Sequence, residues 1–432
     1  MLAWAEFPFG AAEFPDRKNT PMTADSPGES SLLVRYTFFT LLGATADFLF
    51  GAVFVTVFMD RGAEPWMLGL MLGSANLVAL LVEAPSGALG DRYGHRRLLA
   101  VGLAVWGAGF LLMGQADGLA PTLAGMYLWA TGFHLHSGTL VALVVNRIGS
   151  RDRSARIART VRIGQVSGRG GAVLGAASVM VAGTWLPADA MMAAGGAVLV
   201  VLGALTPVCF PRSPGQPGRP VTRIVRESAV LVASRRFVPL MALSVASVSG
   251  LAALVVSWQP MLTAAHGEDV RLNGLVLLVM MAAMTAGSAS SRFAGRSRPH
   301  MWAPLLAASS GLPLLLAAHG LVPLVAGLTA SEFLIGLTVV LSQVWQQLMF
   351  SDANRNTMFS MLGMVGNAVR MLTVLSFGWL WGLLGMEWAV TAVVAFSVVA
   401  AVVAAVSSRL LPESTRFADH PSNASETDEK AV

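Results

Sequence analysis

Apolar runs of about twenty residues recur along the whole chain, each closed by a short polar or glycine-bearing turn, and a run of that length matches a helix crossing a bilayer. The runs place spans at about 32–58, 66–90, 98–115, 120–145, 161–183 and 187–210, and then 237–262, 273–291, 300–319, 321–347, 358–383 and 386–408. Only 211–236, with four prolines and six arginines, makes a long interior break. The pattern predicts an all-α membrane protein of twelve transmembrane helices in two bundles of six. The expected parts are a tail at 1–31, a bundle at 32–210, a linker at 211–236, a second bundle at 237–408 and a tail at 409–432. The later linker, 221–236, reads equally as an amphipathic surface helix with Ile224, Val225 and Leu231 inward or as a disordered basic segment.

Composition agrees: 55% of the 432 residues are hydrophobic and 12% are charged, too few polar groups to cover a water-soluble core of this size. The basic residues are almost all arginine, with Lys18 and Lys430 in the tails as the only lysines. A Walker-type phosphate site or a Schiff-base site therefore has no lysine in the body of the protein. A sequence pI of about 10.1 belongs to loop arginines and not to a nucleic-acid face, so no nucleic-acid partner is expected. Cys209 has no cysteine to pair with, and its expected role is packing. The first residues contain no signal-peptide run, and Met22 opens a more ordinary polar tail, which makes it a candidate start.

The arginines also set a direction. With both termini cytoplasmic, the inner loops hold Arg92, Arg96, Arg97, Arg147, Arg151, Arg153, Arg156, Arg159, the linker arginines, Arg292, Arg296, Arg298 and Arg355. The outer loops then hold only Arg61 and Arg271, the asymmetry that the positive-inside rule requires of a multi-pass cell-membrane protein. A repeat runs through the two halves: Gly87, Asp91 and Arg92 recur as Gly287, Ser291 and Arg292, Asp152 as Asp352, and Arg169 as Arg370. Several matches at one offset of about 200 residues argue for a duplicated six-helix unit.

The turn after the second span reads Gly87-Ala-Leu-Gly-Asp91-Arg92-Tyr-Gly94-His-Arg96-Arg97. This stretch resembles the loop 2–3 signature of the major facilitator superfamily, departing from it at His95, where the family usually has a basic residue. Glu83-Ala-Pro-Ser-Gly87, Ser137-Gly138 and Arg355-Asn-Thr357 further resemble a drug- or metabolite-exporting branch of that superfamily. The branch often carries an acid near the end of span 4, where this chain has Asn146, and its span-5 glycine motif has a proline that Gly164 to Gly171 lacks. The resemblance implies a transporter of alternating access, not an enzyme, and a cytoplasmic latch formed by Gly87, Asp91, Arg92, Gly94, Arg96 and Arg97.

Charges within spans cost roughly 2.5–3.5 kcal/mol each on insertion scales, so they persist where they pair or line a wet cavity. The deep set is Asp47, Glu83, His134, His136, Arg169, Glu332 and Arg370, and it avoids the interiors of spans 3, 6, 9 and 12. That periodicity predicts a central cavity lined by Asp47, Glu83, His134, Arg169, Glu332 and Arg370. Asp47 and Glu83 are the leading proton- or cation-binding carboxylates, with structural pairing to Arg169 or Arg370 as the alternative; Glu332 and Arg370, at similar depth on adjacent spans, are expected to pair. His134 and His136 point about 200° apart on a helix and cannot share a metal, so no metal and no cofactor are expected, with the proton-motive force as the driver. The expected function is proton-coupled efflux of a small molecule by a monomer among membrane lipids. Uptake of a nutrient or siderophore, and a non-transporting sensor on the same fold, are the alternatives.

Overall fold

A computed structural model describes residues 27–145, 147, 153–212, 235–291, 299–349 and 355–410, and nearly all of them are helical. Most of both tails, most of the linker, Asn146 and Asp352 lie outside the described residues. The twelve expected spans are present. Span 1 is built from two helices, Pro27–Gly51 and Phe54–Asp60; span 2 is Pro65–Tyr93, span 3 His95–Gly114, span 5 Arg153–Ala182 and span 6 Ala188–Cys209. Span 4 is again two helices, Leu119–His136 and Thr139–Val145. In the second half, span 7 is Val238–His266, span 8 Val270–Ser290, span 10 Leu321–Met349, span 11 Arg355–Leu384 and span 12 Met386–Leu410. Span 9 is an α-helix at Pro299–Ser310 followed by a 3-10 segment at Leu312–His319.

Three departures from the apolar pattern have local causes. Span 4 breaks at Ser137 and Gly138, where Gly138 takes a φ of 72° that other L-residues rarely adopt. Span 1 breaks at Ala52 and Val53, and a side chain from span 7 holds the break, as described below. Span 9 tightens into a 3-10 helix where Pro313 follows Gly311. Between spans 2 and 3, Gly94 at φ 89° ends one helix by donating its N–H to Gly90 O and starts the next, so no loop intervenes.

Ten helices among the described residues are long and apolar enough to cross a membrane. The other two spans are the fifth, which carries Arg162 and Arg169, and the divided ninth. Lipid tails are as apolar as leucine, so contact between such helices comes from close packing and hydrogen bonds. Glycines supply the closeness: a Cβ at Gly109 of span 3 would stand 2.5 Å from Trp129 N of span 4, and one at Gly102 would stand 2.9 Å from His136 N. Aromatic side chains fill the rest of the first bundle, with ring centroids 4.5 Å apart for Phe50 and Phe110 and 5.0 Å apart for Trp106 and Phe133.

The helix contacts repeat. Span 1 packs on 5 and 6, span 3 on 4 and 6, and span 2 on 4; equally, span 7 packs on 11 and 12, span 9 on 10 and 12, and span 8 on 10. Two pseudo-symmetric six-helix bundles result. They meet through spans 2 and 11, through spans 5 and 8, and through the second helix of span 1 against span 7.

Candidate functional site

The bundles have two ends: the turn end, with Gly94, and the far end, with the connection at 61–64. At the far end the bundles touch backbone to backbone. A Cβ at Gly69 of span 2 would stand 2.9 Å from Gly378 Cα of span 11, and a Cβ at Gly274 of span 8 would stand 2.9 Å from Ala176 O of span 5. On the axis between these two contacts, buried Gln259 of span 7 closes the break in span 1. Its Nε2 donates to Gly51 O at 2.8 Å, while its Oε1 accepts from Val55 N at 3.0 Å and Thr56 N at 3.3 Å. Backbone groups freed by a break at membrane depth need such partners. Gln259 carries no charge and was not in the expected set.

The expected polar residues form a belt. Counted at 1.5 Å per residue from the far end of each span, Asp47, Glu83, His134, Arg169, Glu332 and Arg370 all lie about 16–27 Å deep. Within the belt the structure brings Glu83, His134 and Arg370 together and adds Asn367. Glu83 on span 2 is partly exposed; its Oε2 accepts from Asn367 Nδ2 of span 11 and stands 3.9 Å from His134 Nδ1 of span 4. Arg370, one turn along span 11, donates from Nη1 to Asn367 Oδ1 at 3.1 Å. Asn367 thus joins a carboxylate of one bundle to a guanidinium of its own. Glu83 and Asn367 are 284 positions apart in the chain, and the asparagine is legible only as a polar neighbour on the Arg370 face of span 11.

The expected Glu332–Arg370 pair does not form. Glu332 is 1% exposed, and its Oε2 accepts no hydrogen bond from the described residues. Span 10 is seated by Gly336 against Met284 O of span 8, which sets Glu332 around the helix away from Arg370 despite the shared depth.

Asp47 is 1% exposed on the face of span 1 that carries Tyr36, Thr40 and Gly43. Those three line a cavity of about 480 Å³, part of it open, closed on the other side by His136, Gly138 and Gln165. The two histidines therefore separate: His134 faces Glu83, while His136 lines this cavity and packs on Trp106 at 5.4 Å between centroids. Arg169 stands on span 5 in register with Ala176 and Met180, seven and eleven residues on, which meet Gly274 of span 8. It thus points toward the other bundle.

Of the expected latch, Gly87, Asp91 and Arg92 belong to the last turns of span 2, with side chains outside the described residues. Gly94 makes the turn, and Arg97 is exposed. Arg96 donates from Nη1 to Pro207 O at 3.1 Å and Phe210 O at 3.3 Å. It caps the end of span 6 within its own bundle, a favourable place for a cation. His95, the departure from the family signature, lies against Gly90: a Cβ there would stand 2.6 Å from His95 Nδ1. Ser291, the other departure, donates to Ser288 O at 2.7 Å and closes span 8.

Residues 36–311 match the family model of the Major Facilitator Superfamily, which is more than half of the chain. The chain belongs to the major facilitator superfamily. Solved structures of the same fold include the inward-facing, occupied form of a bacterial homologue of the human lysosomal transporter Spinster, with a TM-score of 0.72 at 14% identity, covering 92% of this chain and 100% of that one. The nucleoside transporter NupG gives 0.71 at 14% identity over 87% of this chain and 98% of that one. The POT family transporter PepTSo gives 0.70 at 11% identity over 90% and 99%. Among curated proteins no significant sequence match is found. This facilitator is a multi-pass membrane protein with a transporter's architecture, and neighbours that differ so widely in cargo leave its own substrate to the chemistry of the cavity.

Proposed function

We propose that the protein is a proton-coupled secondary transporter that exports a small molecule across the cell membrane by alternating access. One observation carries the reading: Glu83, a partly exposed carboxylate, takes its hydrogen bond from Asn367 of the opposite bundle. An ionised carboxylate only accepts hydrogen bonds, whereas a protonated one also donates. Taking up a proton at Glu83 therefore changes the hold of span 2 on span 11. Conversely, any rocking that parts these spans changes the surroundings of Glu83 and its affinity for the proton. This is the linkage that coupling needs. Asp47, at similar depth beside the cavity of span 1, is the second carboxylate in the scheme.

The arginine asymmetry supports a cytoplasmic turn end and cytoplasmic termini. With the far end then outermost and packed shut through Gly69, Gly378, Gly274 and Gln259, the state described here faces inward, able to load from the cytoplasm. Gly87, Asp91, Arg92, Gly94, Arg96 and Arg97 take the role of a turn-end latch in the opposite state. The coupling is tested in inside-out vesicles energised by a proton gradient. Glu83→Gln, which keeps the shape and the contact with Asn367 but cannot ionise, is expected to abolish gradient-driven flux while expression persists. Full flux in this variant would refute the coupling role.

A further inference from the structure

We propose that Arg169 anchors an anion-binding subsite between the bundles and that the exported substrate is an organic anion. Apart from exposed ones such as Arg97, Arg162 and Arg271, the arginines of the described bundles are mostly tied down. Arg35 donates to Cys209 O at 2.5 Å, Arg61 to Met113 O at 2.6 Å and Thr122 Oγ1 at 3.0 Å, Arg96 to the end of span 6, and Arg370 to Asn367. Arg61 also has Asp189, Asp117 and Asp60 around it. Arg169 differs: among the described residues no carboxylate and no hydrogen-bond acceptor reaches its guanidinium, and no charged group bears on it. The repeat sharpens the contrast. At the offset that pairs Gly87 with Gly287, the counterpart of Glu83 is Ala283, so the acid of one interface is a methyl group in the other.

A half-buried cation at membrane depth without a counter-charge is costly, and a counter-ion that arrives and leaves with each cycle accounts for its being kept. The guanidinium fork suits a carboxylate, sulfonate or phosphate. A partly open pocket lies next door. Gln165, one turn before Arg169 on the same face, lines the cavity of about 480 Å³, whose walls combine Phe39, Leu140 and Val141 with the hydroxyls of Tyr36 and Thr40. The pairing points to a substrate with a negative group on an apolar or aromatic body.

The substrate class rests on the transport reading above; the anion subsite does not, and the experiment separates them. In a Cys209→Ser background, Gln165→Cys places one thiol beside Arg169 in an otherwise cysteine-free chain. Its modification rate is measured with an anionic sulfonatoethyl and a cationic trimethylammonioethyl methanethiosulfonate, on monodisperse protein. Arg169→Gln is expected to lower the anion-to-cation rate ratio about tenfold, the scale of one charge a turn away in a half-screened site, and Arg169→Lys is expected to keep it. In inside-out vesicles carrying the protein without these cysteine changes, carboxyfluorescein is expected to accumulate, ethidium is not, and Arg169→Gln stops the accumulation. A lowered ratio with neither dye moved leaves the subsite standing and defeats the transport reading. A ratio unmoved by Arg169→Gln, or accumulation of ethidium alone, overturns the proposal.

Discussion

The contact of spans 2 and 11 and the contact of spans 5 and 8 are copies of one another, and the comparison separates what duplication preserved from what it let change. Both carry backbone-close packing at the far end, through Gly69 and Gly378 in one and Gly274 against Ala176 in the other. Both carry an arginine at the matching level, Arg370 and Arg169. Only the first has an acid, a bridging asparagine and a histidine, with Glu83, Asn367 and His134 assembled from three spans. The scaffold is shared because helices in lipid need small residues to approach, a demand that holds in both halves. The chemistry diverged because the two interfaces have different work: one holds its arginine within the protein, and the other leaves it for a ligand.

The shared scaffold should be the more fragile. A Cβ at Gly378 would stand 2.6 Å from Gly69 Cα, and backbone cannot swing aside as a side chain can. Gly378→Leu is expected to destabilise the far-end closure by about 3 kcal/mol, the upper range for overpacking, seen as a large drop in the thermal midpoint of the purified protein. Gly363→Ala, on the same span but nearer the turn end, meets only Glu83 Oε1 at 3.3 Å and should leave the stability within about 0.5 kcal/mol of wild type, with little change in the midpoint. Equal midpoints for the two variants would show that the far-end packing does not carry the closure.

A third contact has no copy. Gln259 of span 7 serves the break in span 1, whereas span 7 runs unbroken past Pro260 and asks nothing of span 1 in return. Gln259→Leu keeps the volume and leaves Gly51 O, Val55 N and Thr56 N without their partner, at a cost of about 2 kcal/mol. The state whose far end is open never uses that clasp, so the variant should favour it. A distance measured between spin labels at the far ends of spans 1 and 7 should lengthen, and an unchanged distribution would remove the clasp from the closure.

Depth was legible in the apolar pattern, and azimuth was not. Hydropathy places Asp47, Glu83, His134, Arg169, Glu332 and Arg370 in one belt, because burying a charge in lipid penalises every residue alike whichever way it faces. Partnership depends on rotation about the helix and on which helix of the other bundle stands opposite. That is why Glu332 and Arg370, matched in depth, do not meet, and why Asn367 went unseen: an uncharged residue leaves no mark on a count of deep charges. The break in span 1 was hidden for a related reason. Ala52 and Val53 are apolar, and the group that makes their break tolerable lies about 200 residues away. The offset that relates the halves was visible from the start, and it identifies Ala283 as the place where the two interfaces part.

Ala283→Glu therefore puts the comparison to a direct test, with the smallest expected effect of the three. It writes into spans 5 and 8 the acid that spans 2 and 11 already have. If the copies align at the level of side chains, the new carboxylate supplies the counter-charge that Arg169 lacks, and the pair is held as Arg370 is held by Asn367. Anion selectivity at Gln165→Cys should then fall about tenfold, equivalent to about 1.4 kcal/mol, as it does in Arg169→Gln. Adding Arg169→Gln to Ala283→Glu should lower it about another tenfold, because the carboxylate then stands without a counter-charge and repels the anionic reagent. Undiminished selectivity in Ala283→Glu would mean that the new acid stands away from Arg169, and that the repeat aligns the backbones of the two interfaces without aligning their side chains.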